Sequence, residues 1–236
     1  MWRVMACASC GISHLDLDTS RQPHGRRRLN KPDWHSSACL SGDVGDHQRS
    51  KRKGNSMIRA LLKMGAERFA QRYNYDTAYM AHIVDTSTAA GLRLSTLPLY
   101  SQFRGPKQAR NVWAGAMLGS TQEGDCGPCV QLVVDMALES NVPAKLIALC
   151  LEGNAGGAGD VGLGYRFAQA AIADTPDLAE LRETIEERFG ATALIAASFA
   201  ASSGRIFPVL KRGLGHGQTC QSVQIDSSTI RVRHQT

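Results

Sequence analysis

Residues 123–139 read EGDCGPCVQLVVDMALE, and they hold the most informative pattern in this 236-residue chain. Pro128 suits the first turn of a helix, because the N–H group that proline lacks would be unpaired there. The stretch therefore predicts an amphipathic helix that begins at the Cys-Gly-Pro-Cys segment, with Asp125 as a candidate N-cap. After the second cysteine, apolar side chains recur with the spacing of one helix face, at Val130, Val133, Val134, Ala137 and Leu138.

The remainder of the chain after Met57 also has helical periodicity. Aromatic residues make up only 6% of the chain and glycine is frequent, which argues against a β-sandwich or barrel. We expect an all-α fold, a flexible loop at 153–164 and a tail after Cys220 that is loose or holds a short strand at 230–233. No apolar run approaches the roughly 18–20 residues of a membrane span. Candidate helices cover 58–71, 76–86, 92–100, 107–120, 144–152, 163–171, 176–189, 191–206 and 208–213.

The first 56 residues differ in composition from the rest. They hold 10 Lys or Arg against 5 Asp or Glu, whereas residues 57–236 hold 17 against 16. Basic clusters at 26–28 and 49–53 without apolar periodicity predict a disordered basic extension, and the composition leaves open that Met57 is the natural start. The near-neutral body gives no reason to expect a nucleic acid or a membrane as partner. We therefore divide the chain into an extension (1–56), a helical domain (57–220) and a tail (221–236).

Seven cysteines, an odd number, without a convincing signal peptide indicate a reducing, cytoplasmic compartment. There, a Cys-x-x-Cys pair is a redox dithiol or half of a metal site. The positive end of a helix stabilises a thiolate, so Cys126 and Cys129 are candidates for thiol redox chemistry with no cofactor and no metal. A thioredoxin fold is excluded, because no strand pattern precedes Cys126.

Two alternatives to redox chemistry remain open from the residues alone. The pair Cys126 and Cys129 is either inert and buried or one half of a zinc site, although the body offers no second Cys-x-x-Cys. Separately, the N-terminal ligand types, together with the basic clusters, are compatible with a zinc-assisted nucleic-acid-binding finger. Those ligand types are Cys7, Cys10, His35 and Cys39.

Taken with the stretches at 73–80 and 205–211, the segment 123–139 resembles the AhpD-like / carboxymuconolactone decarboxylase family over residues 57–220. The resemblance implies an AhpD-like helical bundle that forms a homo-oligomer (dimer, trimer or hexamer). It also implies a thiol-dependent peroxidase or disulfide reductase, with a small-molecule peroxide or disulfide substrate and an external thiol electron donor. A cofactor-free decarboxylase or lyase of the same fold is the second possibility, with structural cysteines and proton transfer by an acid or a histidine.

The sequence departs from the family motif at the proton relay. Val133 stands where characterised peroxidases of the family have a histidine, and Ala114 stands where they have a glutamate. Glu123 and Asp125 are the nearer acids, of which we take Glu123 as the substitute, and His216, in a glycine-rich turn, is a further candidate.

Two arguments disagree on which cysteine is the nucleophile. Exposure at a helix N-terminus favours Cys126 as the nucleophile. The resemblance instead implies that Cys129 attacks the peroxide and that Cys126 resolves the resulting sulfenic acid. We follow the resemblance.

Overall fold

The computed structural model describes residues 44–217, 222–225 and 228–232, with side chains from residue 56 onward, all within one compact unit, Asp43–Thr236. It is mostly helical, which confirms the predicted all-α class. The helices of the first half are α1 (Val44–Tyr73), α2 (Ala78–Thr86), α3 (Thr88–Ser101), α4 (Arg110–Glu123) and α5 (Gly127–Glu139). The second half contains α6 (Ala144–Leu151), α7 (Gly159–Ala173), α8 (Leu178–Phe189), α9 (Ala191–Ser203), α10 (Ile206–Gly213) and the strands β1 (Ser222–Ile225) and β2 (Ser228–Arg231).

Helix α4 lies at the centre of the fold. It packs most extensively against α7, and also against α9 and α5. Every residue from Val112 to Gln122 is buried, so this helix has no solvent-facing stripe over most of its length. Its preceding 3₁₀ turn, Lys107–Ala109, follows Pro106, as the predicted helix start required. Cys126 and Cys129 follow shortly after α4, and a buried element therefore holds their position.

Glycines allow α4 and α7 to pack so closely that the backbone of one helix contacts the backbone of the other. A Cβ atom at Gly115 would collide with the carbonyl group of Val161, and one at Gly164 would collide with that of Val112. The expected flexible loop at 153–164 is therefore wrong for its second half, since α7 begins at Gly159. Glycine is common in loops and also where two helices touch, and composition alone does not separate these uses.

The first helix begins earlier than its apolar periodicity indicated. The predicted helix over 58–71 is confirmed, but α1 extends back to Val44 because no proline interrupts this stretch. Residues 44–56 of the extension that we expected to be disordered are thus helical. The remainder of that extension lies outside the described residues.

The tail forms a small hairpin that packs on the helical body. Strands β1 and β2 pair antiparallel with Val223 opposite Ile230, and both of these side chains are buried in the core. Gln131 of α5 joins the hairpin, because its amide group donates to the Gln224 carbonyl oxygen (3.0 Å) and accepts from the Gln224 N–H (2.7 Å). The predicted strand at 230–233 is found two residues earlier, with a partner strand that the sequence did not reveal.

Helices α9 and α10 together have the length and composition of a membrane span. The segment Ala191–Gly213 contains an 18-residue window of mean hydropathy 1.5, 44% of which is buried inside the fold. This corrects the expectation that no stretch is long and apolar enough. The core helix of a soluble protein meets the same criterion, and the alanine face of α9 packs against α4.

Candidate functional site

Cys126 and Cys129 are joined by a disulfide in the first turn of α5, with their Cα atoms 5.2 Å apart. Cys126 is the N-cap residue, and its carbonyl oxygen accepts from the N–H groups of Cys129 (2.9 Å) and Val130 (3.0 Å). The predicted helix start and the position of Pro128 are confirmed. Asp125 is not the N-cap, because it precedes that position and adopts a left-handed φ of 47°.

Both cysteines are almost fully buried in the single chain. Cys126 is 4% exposed and Cys129 is 3% exposed, so the expectation of an exposed Cys126 is wrong. Helix α10 covers the segment before the disulfide: the ring of Pro208 packs against Gly124, and the Arg212 guanidinium donates to the Gly124 carbonyl oxygen. A Cβ atom at position 124 would collide with that ring.

A small cavity of about 60 Å³ adjoins Cys129. Side chains of α4, α5 and α10 form most of its wall, and the lining is largely apolar. Among the described residues, Cys129 lines the cavity and Cys126 does not. A water molecule needs roughly 10–15 Å³ on this measure, so the space admits a few waters or a molecule of similar size.

The two positions of the missing relay residues face this same cavity. Val133 and Ala114 both line it, one from α5 and one from α4. No carboxylate, histidine, lysine or arginine is found among the described residues of its wall. A substrate next to Cys129 therefore meets hydroxyl, amide, indole and thioether groups but no charged side chain.

Three polar groups of this wall are buried hydrogen-bond donors, and two of them have no partner within the described residues. The Tyr75 hydroxyl lies 3.7 Å from the Cys129 Sγ, within the range of a hydrogen bond to sulfur. Burial raises the pKa of Tyr75, so its O–H remains a donor at neutral pH. The Trp113 Nε1 and Thr121 Oγ1 atoms are buried and have no hydrogen-bond partner within the described part of the chain. Unpaired buried donors are costly, and a bound oxygen atom would satisfy them.

A wider groove lies beside the cavity and shares part of its wall, including Leu132, Met136 and Phe207. Its polar side is a network that links the end of α1 to the end of α5. The Arg72 guanidinium donates to the Glu139 carboxylate (3.1 Å), as does the Tyr73 hydroxyl (2.9 Å). The Arg72 hydrogen bond, followed by that of Tyr73, lowers the pKa of Glu139.

Glu123 and His216 lie away from the sulfur atoms. Glu123 is the last residue of α4, is exposed, and lines a different groove together with Arg166. His216 follows α10, and its Nε2 lies 3.3 Å from the Nδ1 of His82. No contact found among the described residues joins Glu123 or His216 to Cys126 or Cys129, and their catalytic roles stay predictions.

The other cysteines form no reactive or metal-binding site within the described residues. Cys150 is fully buried in the core, and burial raises the pKa of its thiol to about 12, so it is unreactive at neutral pH. Within the described residues, no group of three or more His, Cys, Asp or Glu side chains is arranged to hold a metal ion. The zinc-finger alternative at Cys7, Cys10, His35 and Cys39 lies outside the described residues.

Tyr75 and Lys211 are the residues at this site that sequence reasoning missed. Both fall inside the stretches that carry the family resemblance, but neither belongs to a catalytic motif. A lysine in the last turn of a helix is typically an exposed charge, but the structure buries Lys211 completely beneath the rings of Tyr75 and Tyr79.

Comparison with known proteins gives no assignment: no protein-family model, no curated protein and no solved structure matches the chain. The resemblance to the AhpD-like / carboxymuconolactone decarboxylase family therefore stays a prediction from the motif.

Proposed function

We propose that the chain is a thiol-dependent oxidoreductase that reduces a small hydroperoxide through Cys129 and Cys126. One observation carries the proposal: the two cysteines form a pair in the first turn of α5, and Cys129 lines a cavity next to a hydroxyl donor. The helix N-terminus adds a partial positive charge that favours the thiolate.

The reaction has three steps. The Cys129 thiolate attacks one peroxide oxygen, the S–O bond forms as the O–O bond breaks, and the leaving alkoxide takes up a proton. Cys126 then attacks the sulfur of the Cys129 sulfenic acid, which forms the disulfide and releases water. An external dithiol finally reduces this disulfide by thiol–disulfide exchange and is itself oxidised.

The size of the cavity favours a peroxide over a disulfide as the substrate. A space of about 60 Å³ admits a few water-sized groups, but a disulfide carries a substituent on each of its two sulfurs. The thiol donor is larger than the cavity, and we propose that it approaches from the adjoining groove, where the shared wall must move to expose the sulfurs.

The cavity offers less to a decarboxylase. Such an enzyme needs an acid or a histidine to transfer protons and a cation to hold a carboxylate. The described residues that line the cavity supply none of these groups.

Self-association is a separate part of the proposal. Leu99 is 82% exposed and Ile195 is 50% exposed, and both lie on helices that adjoin at the surface, α3 and α9. Sedimentation velocity of the full chain gives the number of subunits, and a monomer at all concentrations would contradict the expected oligomer.

Hydroperoxide consumption in the presence of a small dithiol tests the redox proposal. We expect Cys129→Ser to abolish turnover and Cys126→Ser to stop after one turnover with a trappable sulfenic acid on Cys129. Cys150→Ala is the matched control, because it removes a buried cysteine outside the pair and leaves turnover intact. Equal rates in the wild type and Cys129→Ser would refute the mechanism.

A further inference from the structure

Lys211 is a buried lysine, and packing alone does not explain why a charged side chain occupies this position. Its side chain has no exposed area, and its Nζ atom has no hydrogen-bond partner within the described residues. An ammonium group without an anionic contact loses hydration that is worth several kcal/mol in typical proteins. An apolar side chain of the same length would avoid this loss, so the lysine indicates a role other than stability.

Two tyrosine rings provide the surroundings of the Lys211 ammonium group. Its Nζ lies 4.7 Å from the ring centre of Tyr75 and 5.3 Å from that of Tyr79, distances at which a cation is attracted to an aromatic face. The two rings meet edge to face, with their centres 6.4 Å apart. Within the described residues, these two phenols and the carboxylate of Asp76 are ionisable groups that interact with Lys211. Burial lowers the pKa of Lys211, and the Asp76 charge opposes that shift.

The same tyrosine reaches the reactive sulfur. The Tyr75 hydroxyl is the group 3.7 Å from the Cys129 Sγ, so a single side chain connects Lys211 of α10 to Cys129 of α5. Neither the histidine nor the glutamate of the family relay is available at this place, since Val133 and Ala114 occupy their positions.

We propose that Tyr75 is a catalytic proton donor at Cys129 and that Lys211 is the positioning residue that supports it. This inference rests on the proposed redox function. The Tyr75 O–H donates to the Cys129 thiolate in the reduced protein. When the thiolate attacks the peroxide, the O–H transfers its proton to the leaving alkoxide, and the resulting phenolate regains a proton from water. The Lys211 ammonium group, held against the Tyr75 ring, stabilises the negative charge on the thiolate and on the transient phenolate.

The pKa of the Cys129 thiol tests this arrangement without requiring peroxidase activity. The measurement is the pH dependence of alkylation at Cys129, followed by mass spectrometry in the reduced full-length Cys126→Ser chain. Adding Tyr75→Phe removes a hydrogen bond to the thiolate, and we expect the thiol pKa to rise by about one unit. Lys211→Met removes the supporting charge, and we expect a rise of about half a unit or more. Lys211→Arg keeps the charge and restores most of the wild-type value.

Two controls separate a structural role from the proposed one. Lys145→Met is the same substitution at an exposed lysine, and it leaves the thiol pKa unchanged. A purely structural Lys211 would affect only the melting temperature, which we expect to rise in Lys211→Met because a buried unpaired charge is removed. If Lys211→Met does not fold, Lys211→Gln carries the same expectation for the thiol pKa.

The outcomes are distinct for the two proposals. An unchanged thiol pKa in Tyr75→Phe, or in the folded Lys211 variant, overturns the inference. A raised thiol pKa in both, in a chain that consumes no hydroperoxide, supports Tyr75 and Lys211 as the groups that stabilise the Cys129 thiolate, and it refutes the peroxidase function together with the proton transfer to an alkoxide.

Discussion

Replacement of Val133 by histidine tests whether the cavity lacks an efficient proton-transfer group. Val133 lines the cavity beside Cys129 from the next turn of α5. We expect Val133→His to increase hydroperoxide consumption by about tenfold, because an imidazole there accepts and returns a proton near neutral pH. Steady-state rates in the presence of a dithiol measure the effect. Val209→His, at a valine that is 57% exposed on α10, is the control and leaves the rate unchanged.

A folded Val133→His variant with no gain in rate would contradict this reading of the cavity. Proton delivery to the leaving group would then not limit turnover.

At the residue scale, the sequence identified the cysteines but not their neighbours. Only two residues separate Cys126 from Cys129 in the chain, so local spacing was enough to predict their position at a helix start. Tyr75 and Lys211 meet Cys129 only through tertiary packing, across 54 residues in the case of Tyr75. No local pattern distinguishes a lysine that points to solvent from one that lies beneath two aromatic rings.

At the element scale, the contact between α4 and α7 depends on glycine. Gly115→Ala introduces a Cβ atom that collides with the backbone at Val161, and we expect a loss of about 1–3 kcal/mol in the free energy of unfolding. Gly65→Ala is the matched control, since nothing lies within 4 Å of its added Cβ and the helix α1 gains about 0.5–1 kcal/mol. Urea denaturation of both variants measures these changes.

Equal stabilities for Gly115→Ala and Gly65→Ala would show that α4 and α7 separate without cost. The helices themselves were predictable wherever one face is apolar, as in α5 and α8. The start of α7 was not, because its glycines pack against backbone on one side and leave little apolar periodicity on the other.

At the scale of the whole molecule, we expect the folded unit to survive removal of residues 1–56. Described packing of α1 begins within its second half, where Phe69 contacts the rings of Tyr73 and Tyr75. A chain that starts at Met57 should keep the melting temperature to within a few degrees, and it should keep hydroperoxide turnover. A large loss of either would show that the basic extension belongs to the functional unit.

The overall class was predictable from composition, whereas the arrangement of the helices was not. Low aromatic content and helical periodicity predicted an all-α chain. The central position of α4 follows from burial on all of its sides, and a helix without a polar face gives no periodic signal that identifies its neighbours.

Both sulfurs lie within one turn of α5, and this placement determines how far their redox state affects the surface of the protein. The disulfide closes a ring of four residues within that turn and joins no two helices to each other. We therefore expect the outer surface of the protein to be similar in the oxidised and reduced forms. This expectation agrees with the peroxide reduction that we propose, whereas a redox sensor has to present a changed surface to its partner.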